Sequence, residues 1–90
     1  MHMRIIWDEE KDAHLMKTRG ISFEDFVETI LNKDFLDIVE NKARPDQMIF
    51  VCQFKDYTYC IPFLLSDDGE LVLKTIYPSR KYHQIYGVTI

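Results

Sequence analysis

The C-terminal segment concentrates the side chains that could bind an anion. Residues 71–90, LVLKTIYPSRKYHQIYGVTI, contain Lys74, Arg80 and Lys81 and no acidic residue. All 15 Asp and Glu residues lie before this segment, and the whole chain carries a net charge of −4. A positive segment in an acidic chain favours an anionic ligand, and a phosphate-bearing ligand is the natural candidate. The alternative is a hydrophobic strand that carries ordinary surface cations.

The order of residues in this segment predicts how its cations are presented. A strand-like run over residues 71–77 ends at Pro78, and Ser79 can cap a short helix that starts at Arg80. The first turn of a helix offers unpaired backbone N–H groups and a favourable dipole to an anion. We therefore expect the anion to bind where the strand passes into the helix.

Lys74 has two interpretations as a member of that strand. Successive side chains of a strand point to opposite faces, so Lys74 shares its face with Val72 and Ile76. A lysine between two apolar neighbours either extends to solvent at a sheet edge or lines a cleft.

Length and composition indicate one small globular domain. A chain of 90 residues, 47% of them hydrophobic, can fold as a single unit. Such a domain buries only about 60–65% of its unfolded surface, so a partner protein or a second copy of the chain is expected to matter. No apolar run approaches the ~20 residues needed to cross a bilayer, and the N-terminus turns acidic too early for a signal peptide. We expect a cytoplasmic protein that does not bind membranes.

Two helices are predicted in the first part of the chain. A short strand over residues 4–7 precedes Asp8, which has the position of an N-cap, and Gly20 follows the first helix as its stop. Ser22 is predicted to cap the second helix, with Asp25 placed close to a capping box. The second helix carries one apolar face made of Phe23, Phe26, Val27, Ile30 and Leu31.

Four strands and a last helix are predicted after these helices. The strands cover residues 35–40, 47–54, 57–65 and 70–77, and short turns between them imply an antiparallel meander. Pro62 cannot donate a hydrogen bond, so its strand is expected to be interrupted or unpaired on one side. A helix over residues 79–86, stopped by Gly87, completes the order β-α-α-β-β-β-β-α. The predicted class is α+β, with two N-terminal helices packed on an antiparallel sheet and a short C-terminal helix.

The two cysteines are expected to be buried and reduced. With a two-residue turn at Lys55-Asp56, Cys52 lies opposite Tyr59, so Cys60 points to the other face of the sheet. A three-residue loop would instead place the two cysteines opposite each other. Neither cysteine has the C-x-x-C spacing of a zinc site, and we expect no metal and no cofactor.

Three sequence blocks are spread over most of the chain: WDEEK at residues 7–11, RGISFED at residues 19–25 and LKTIYPSRK at residues 73–81. Together they resemble the BrnT family, whose members are toxins of bacterial type II toxin–antitoxin systems. The third block usually reads Arg-x-Ile-Ser-Ala-Arg in that family, and this chain has Lys74 at its first position. Lysine keeps the charge but lacks the bidentate fork of arginine.

The resemblance implies a RelE-like fold and a bacterial toxin that cleaves RNA without a metal ion, which inhibits translation and growth. It also implies an antitoxin with a ribbon-helix-helix DNA-binding domain. That partner neutralises the toxin and brings the complex to promoter DNA, so the toxin would meet DNA only through the antitoxin.

The chemistry that the resemblance implies can be assigned to four residues. Cleavage through the ribose 2′-OH needs charge stabilisation at the phosphate and transfer of protons. We assign Arg80 to the scissile phosphate, Lys74 to a second charge contact, and Ser79 to a hydroxyl or backbone N–H donor. His83 belongs to a residue type that gains and loses protons near neutral pH, although it can equally be a surface histidine.

Five further residues are expected to bind the substrate. Tyr77 and Tyr82 can stack on bases, although tyrosines in so small a domain are often part of the core. Lys81, Lys17 and Arg19 can extend a track for phosphates, although Lys17 and Arg19 at the end of a helix also have a structural explanation.

Two alternatives to a ribonuclease stay open at this point. One is a catalytically inactive module that only binds an antitoxin, and the other is an RNA-binding regulator without catalysis. The net charge of −4 fits a basic protein partner better than free RNA.

Overall fold

The computed structural model describes residues 4–86, which form six strands and three helices. The strands are β1 (Ile5–Trp7), β2 (Asp37–Glu40), β3 (Met48–Phe54), β4 (Tyr57–Leu65), β5 (Leu71–Leu73) and β6 (Tyr77–Pro78). The helices are α1 (Glu9–Arg19), α2 (Glu24–Leu31) and α3 (Arg80–Tyr86). The predicted α+β class is confirmed, whereas Gly87, the predicted stop of the last helix, lies outside the described residues. None of the three helices is long and apolar enough to span a membrane.

All six strands belong to one sheet with the order β1-β5-β4-β3-β2, and β6 also pairs with β4. The predicted meander is confirmed, since β2 to β5 pair with one another in antiparallel fashion. The edge strand β1 differs, because it runs parallel to β5, with Ile5 opposite Leu71 and Trp7 opposite Leu73. Parallel pairing needs a long crossover connection, which the two helices and the meander supply. The sheet is therefore mixed rather than wholly antiparallel.

The predicted last strand is split into β5 and β6 at residues 74–76. Pro62 of β4 lies opposite the break, and its carbonyl oxygen accepts a hydrogen bond from the Lys74 N–H at 2.8 Å. The N–H and C=O of one residue in an antiparallel strand point to the same neighbour. Pro62 thus lacks the donor that would continue the ladder on this side. The predicted loss of pairing at Pro62 is confirmed.

The break also changes which side chains share a face of the sheet. Ile76 is fully buried in the same core as Leu71 and Leu73. Lys74 and Thr75 instead line an open cleft. The predicted face shared by Lys74 and Ile76 is wrong, because the alternation of the strand ends at Leu73.

The ends of α1 follow the predicted signals. The Asp8 carboxylate accepts a hydrogen bond from the Glu10 N–H at 2.9 Å, which satisfies one free donor at the helix start. Gly20 adopts the left-handed conformation with φ 65°, and its N–H donates to the Met16 carbonyl oxygen. Any residue with a Cβ would be strained at that φ, so glycine suits this position.

The start of α2 is held differently from the prediction. Phe23, rather than Ser22, occupies the N-cap position. Asp25 accepts from the Ser22 N–H at 3.0 Å, which is the returning half of the predicted capping box. Asp12 of α1 accepts from the Phe23 N–H at 2.8 Å, so a side chain of the first helix fixes the entry of the second.

One apolar core fills the space between these two helices and the sheet. The helical part supplies Leu15, Phe23, Phe26 and Ile30, and the strands supply Phe50, Cys52, Ile61, Phe63, Leu71 and Leu73. The rings of Phe50 and Phe63 stack with centroids 4.0 Å apart. Leu31 departs from the predicted apolar face, since it is 53% exposed at the end of α2 beside an open apolar groove.

The hairpin between β3 and β4 has the predicted two-residue turn. Lys55 and Asp56 have φ values of 48° and 65°, which are typical of a type I′ turn. Cys52 lies opposite Tyr59, as predicted, so Cys60 points to the other face of the sheet. Both cysteines are free and buried, which confirms the expectation for the described residues.

Candidate functional site

The face of the sheet opposite the core is partly covered by α3. The Ser79 hydroxyl accepts a hydrogen bond from the Tyr82 N–H at 3.1 Å, so the predicted cap of this helix is confirmed. The Ser79 N–H donates to the carbonyl oxygen of Thr58 in β4 at 3.0 Å, which fastens the start of α3 to the sheet. That N–H is therefore already paired, and only the hydroxyl of Ser79 can still donate to a ligand.

His83 lies one turn further along α3, against the hairpin. Its Nδ1 atom is 3.0 Å from the hydroxyl oxygen of Thr58, a residue that is fully buried. Its ring stacks on Tyr57, with centroids 4.2 Å apart and planes inclined by 23°. Two neighbouring residues of β4 thus hold the imidazole from two directions.

The end of α3 is fastened to the edge strand β2. The Tyr86 hydroxyl donates to a carboxylate oxygen of Asp37 at 2.5 Å. This hydrogen bond, with a smaller contribution from the Ile38 N–H, lowers the pKa of Asp37. The same hydrogen bond raises the pKa of Tyr86. The helix is thus held at both ends, at β4 by Ser79 and at β2 by Tyr86.

A cleft of about 670 Å³ opens on the same face of the sheet, next to β6. Its floor includes Pro62 and Leu64 of β4, and its wall includes Tyr77. Three cations line it, one from α1, one from the loop after β2 and one from the break between β5 and β6: Lys11, Arg44 and Lys74. The remaining lining residues are Asn41, Ala43, Asp46, Gln47 and Thr75.

The loop that carries Arg44 is closed by its own hydrogen bonds. The Arg44 N–H donates to the side-chain and backbone oxygens of Asn41 at 3.2 and 3.1 Å. The Gln47 N–H donates to the Arg44 carbonyl oxygen at 2.9 Å, and the buried Gln47 side chain accepts from the Asn41 amide at 3.4 Å. Arg44 is therefore displayed from a closed turn rather than from an extended segment.

The cations of the cleft have no ion-pair partner within residues 4–86. One side-chain ion pair occurs in this part of the chain, between Arg4 and Glu70 at the edge of the sheet. Asp46 is the single carboxylate in the lining. The cleft consequently has a positive balance in a chain whose net charge is −4. Such a cleft attracts an anion.

Tyr77, Cys60 and Ser79 connect the cleft with α3. Tyr77 of β6 pairs with Cys60 of β4. Burial raises the pKa of the Cys60 thiol, and the nearby hydroxyls of Ser79 and Tyr77 oppose part of that rise. Burial, together with the Cys60 thiol, also raises the pKa of Tyr77, so its phenol stays neutral near pH 7. The Cys60 thiol is therefore buried and uncharged beneath the point where the cleft meets α3.

The predicted site residues fall into two groups that adjoin at this junction. Lys74 and Tyr77 line the cleft, which favours the cleft interpretation of Lys74 over that of an edge lysine. Ser79 and His83 are brought together around Thr58. Arg80 is exposed at the start of α3, outside the lining of the cleft.

The other predicted substrate-binding residues do not belong to the lining of the cleft. Lys81 is exposed, and its ammonium group lies 5.3 Å from the ring centroid of Tyr82 on the same helix. Lys17 and Arg19 are exposed in the last turn of α1, and neither belongs to the lining of the cleft. Their assignment to the substrate stays a prediction.

Lys11, Arg44 and Thr58 were not predicted as site residues from the sequence. Lys11 ends the WDEEK block, and Arg44 precedes the Pro45-Asp46 turn, so both occupy marked positions. No spacing rule relates either of them to Lys74, because folding alone brings these three segments together. Among residues 4–86, no group of three or more His, Cys, Asp or Glu side chains is arranged to hold a metal ion.

Fold and cleft together define a small α+β domain with a cationic cleft on the open face of its sheet. The same fold is found in the crystal structure of the Brucella abortus ribonuclease toxin BrnT, with a TM-score of 0.66. The match covers 87% of this chain and 97% of that chain at 20% sequence identity. The likeness confirms the predicted BrnT-like fold. Comparisons with protein-family models and with curated proteins gave no match.

Proposed function

We propose that this chain is the toxin of a bacterial type II toxin–antitoxin system and that it cleaves RNA. The cleft carries the proposal, because Lys11, Arg44 and Lys74 converge there without a carboxylate partner among the described residues. Single-stranded RNA fits such a cleft, since its phosphates follow one another along the backbone and its bases can stack on Tyr77. The fold shared with a ribonuclease toxin supports the same function.

In the proposed reaction the ribose 2′-OH gives its proton to a solvent water molecule and attacks the adjacent phosphorus. The bond between phosphorus and the 5′ oxygen breaks, which leaves a 2′,3′-cyclic phosphate and a 5′-OH end. In this proposal Lys74 acts from the cleft and Arg80 acts from the start of α3 on the charge that develops on the phosphate oxygens, and the Ser79 hydroxyl donates to one of these oxygens. His83 gives a proton to the departing 5′ oxygen. These groups all belong to the chain, so the proposal includes cleavage without a metal ion.

Substrate binding extends along the cleft from the reacting phosphate. Lys11 and Arg44 hold phosphates on one side, and Tyr77 stacks on a base. Lys81 and Tyr82 contact the strand on the other side, over the start of α3. Lys17 and Arg19 would contact only a longer RNA, because they lie at the far end of α1 from Lys11.

The proposed partner is an antitoxin with a ribbon-helix-helix domain, which would bring the complex to promoter DNA. An acidic toxin suits a basic partner, and the net charge of −4 supports that complementarity. The same proposal includes two further expectations. The free toxin associates with a second copy of the chain, and it is located in the cytoplasm of a bacterium.

The test is cleavage of an end-labelled single-stranded RNA by the purified chain in the presence of EDTA. We expect a cyclic phosphate end, and no product from DNA of the same sequence, because DNA lacks the 2′-OH. Arg80→Gln and Lys74→Gln should each lower the rate by about 10²–10³-fold, the usual effect of removing one transition-state donor. Lys33→Gln is the matched control, because Lys33 lines the apolar groove on the opposite face of the sheet.

Two results would contradict the proposal. One is cleavage at the unmodified rate by an Arg80→Gln variant with an unchanged circular dichroism spectrum. The other is the absence of cleavage by the unmodified chain together with normal growth of cells in which its expression is verified. The second result would favour an inactive module that only binds an antitoxin.

A further inference from the structure

We infer that Thr58 is the positioning residue for His83 and that it presents the Nε2 atom of this ring to the substrate. The inference deepens the function proposed above and rests on it for the identity of the substrate. It starts from a contact between a fully buried hydroxyl and a ring nitrogen, 3.0 Å apart, that joins the sheet to α3.

Thr58 fixes both the backbone and the side chain of the helix that carries the proposed proton donor. Its carbonyl oxygen accepts from the Ser79 N–H at 3.0 Å, and the Ser79 carbonyl oxygen accepts from the His83 N–H at 3.0 Å. Its hydroxyl contacts Nδ1 of the same histidine. One residue of β4 therefore sets the position of the first turn and the rotation of the imidazole.

The rest of the imidazole ring of His83 faces Tyr57 and solvent. Tyr57 covers one face of the imidazole with its own ring, 4.2 Å away. His83 nevertheless remains partly exposed, so the nitrogen that Thr58 does not occupy is the one that a substrate can reach. Since Nδ1 is engaged with the sheet, that atom is Nε2.

A hydroxyl is a suitable partner for a histidine that transfers a proton. It can donate to Nδ1 when the imidazole is neutral and accept from the Nδ1–H group when the ring is an imidazolium. The contact therefore survives proton transfer at Nε2. A carboxylate would favour the charged ring, whereas a buried valine would leave Nδ1 without a partner.

The experiment compares Thr58→Val with Thr58→Ser, each made in the unmodified chain and in a His83→Gln background. Valine keeps the shape of threonine and removes the hydroxyl, whereas serine keeps the hydroxyl. We expect Thr58→Val to lower the rate of RNA cleavage by about tenfold, the equivalent of one hydrogen bond. Thr58→Ser should restore most of that loss. In the His83→Gln background, Thr58→Val should have no further effect.

A second measurement follows the ring directly and needs no activity. The ¹⁵N chemical shifts of the His83 ring, assigned by comparison with His83→Gln, should change at Nδ1 in Thr58→Val and not in Thr58→Ser. Equal rate losses from Thr58→Val with and without His83 would overturn the inference, as would an unchanged Nδ1 shift. If the unmodified chain does not cleave RNA, the proposed function fails, and the Nδ1 shift alone decides the role of Thr58.

Discussion

Cys52 and Cys60 lie on adjacent strands but face opposite sides of the sheet. Both are fully buried in the folded chain. Burial, with a smaller contribution from Cys60, raises the pKa of the Cys52 thiol to about 12. Burial raises the pKa of Cys60 as well. A thiolate is the reactive form of cysteine, so both groups should be inert in the native protein.

Native protein at pH 8 should therefore react slowly with an aromatic disulfide reagent such as DTNB. Denatured protein should release thiolate from both cysteines at once, because unfolding restores ordinary thiol acidity and access. The measurement is the absorbance of the released thiolate over time. Rapid reaction of either cysteine in protein that keeps its native spectrum would show that the thiol is not buried as described.

The candidate site could be predicted from the sequence only where its residues are neighbours in the chain. The position of Ser79 as the cap of α3 was predicted because a strand, a cap and a helix follow one another there, whereas the role of Arg80, which lies outside the lining of the cleft, stays a prediction. Lys11 and Arg44 could not be related to Lys74, because they approach it through the pairing of β1 with β5 and the closed turn after β2. Thr58 gave no signal, because a threonine in a strand has an ordinary structural explanation.

At the scale of elements, α3 is attached to the sheet by one hydrogen bond at its start and one at its end. At its start, the Ser79 N–H donates to the Thr58 carbonyl oxygen, and at its end the Tyr86 hydroxyl donates to Asp37. The helix buries no residue completely. Polar contacts of this kind are therefore needed to keep His83 against Thr58.

The Tyr86–Asp37 hydrogen bond should stabilise the fold only within a defined pH window. The hydrogen bond lowers the pKa of Asp37 from 3.8, so its contribution is present above that value and is lost as pH falls through the lower folded pKa. The hydrogen bond raises the pKa of Tyr86 from 10.0, so the contribution is present below that value and is lost at higher pH. Neutral solution lies inside the window.

Tyr86→Phe should accordingly lower the free energy of unfolding at pH 7 and lower it by less once Asp37 is protonated in the folded state, because a neutral carboxyl accepts a weaker hydrogen bond than a carboxylate. Urea titrations at pH 7 and at the lowest pH at which the chain stays folded measure the difference. Tyr82→Phe is the matched control, since its hydroxyl does not bond to Asp37. A loss of the same size at both pH values would show that the phenylalanine acts through packing and not through this hydrogen bond.

Features of helices and strands that depend on neighbouring residues could be predicted from the sequence, whereas features that depend on distant parts of the chain could not. Asp8, Gly20 and the Lys55-Asp56 turn were predicted because each acts on its own backbone. The N-cap of α2 was misassigned because the Asp25 N–H donates to the backbone carbonyl oxygen of Ser22 rather than to its hydroxyl, while Asp12 of another helix accepts from the Phe23 N–H. The parallel pairing of β1 had no local signal, since its partner strand lies 66 residues further along the chain, as in the pairing of Ile5 with Leu71.

At the scale of the whole molecule, charge is separated between the cleft and the rest of the surface. The chain has a net charge of −4, yet the cleft holds three cations and one carboxylate. If RNA is the ligand, as proposed, the negative charge of the rest of the surface weakens its attraction at long range, and the cations of the cleft attract it at contact. Binding to RNA should therefore depend on the cleft cations far more than on other lysines of the chain.

The most direct test of the cleft is the salt dependence of binding to a fluorescent single-stranded RNA, measured by anisotropy. Arg44→Gln with Lys74→Gln is compared with a control of equal charge, Lys33→Gln with Lys55→Gln. The cleft variant should bind more weakly, and its slope of log affinity against log salt should fall by about 1.4, or about 0.7 for each phosphate contact. The control should retain the affinity and slope of the unmodified chain. Equal affinity and slope in the two variants would contradict the assignment of the cleft to RNA.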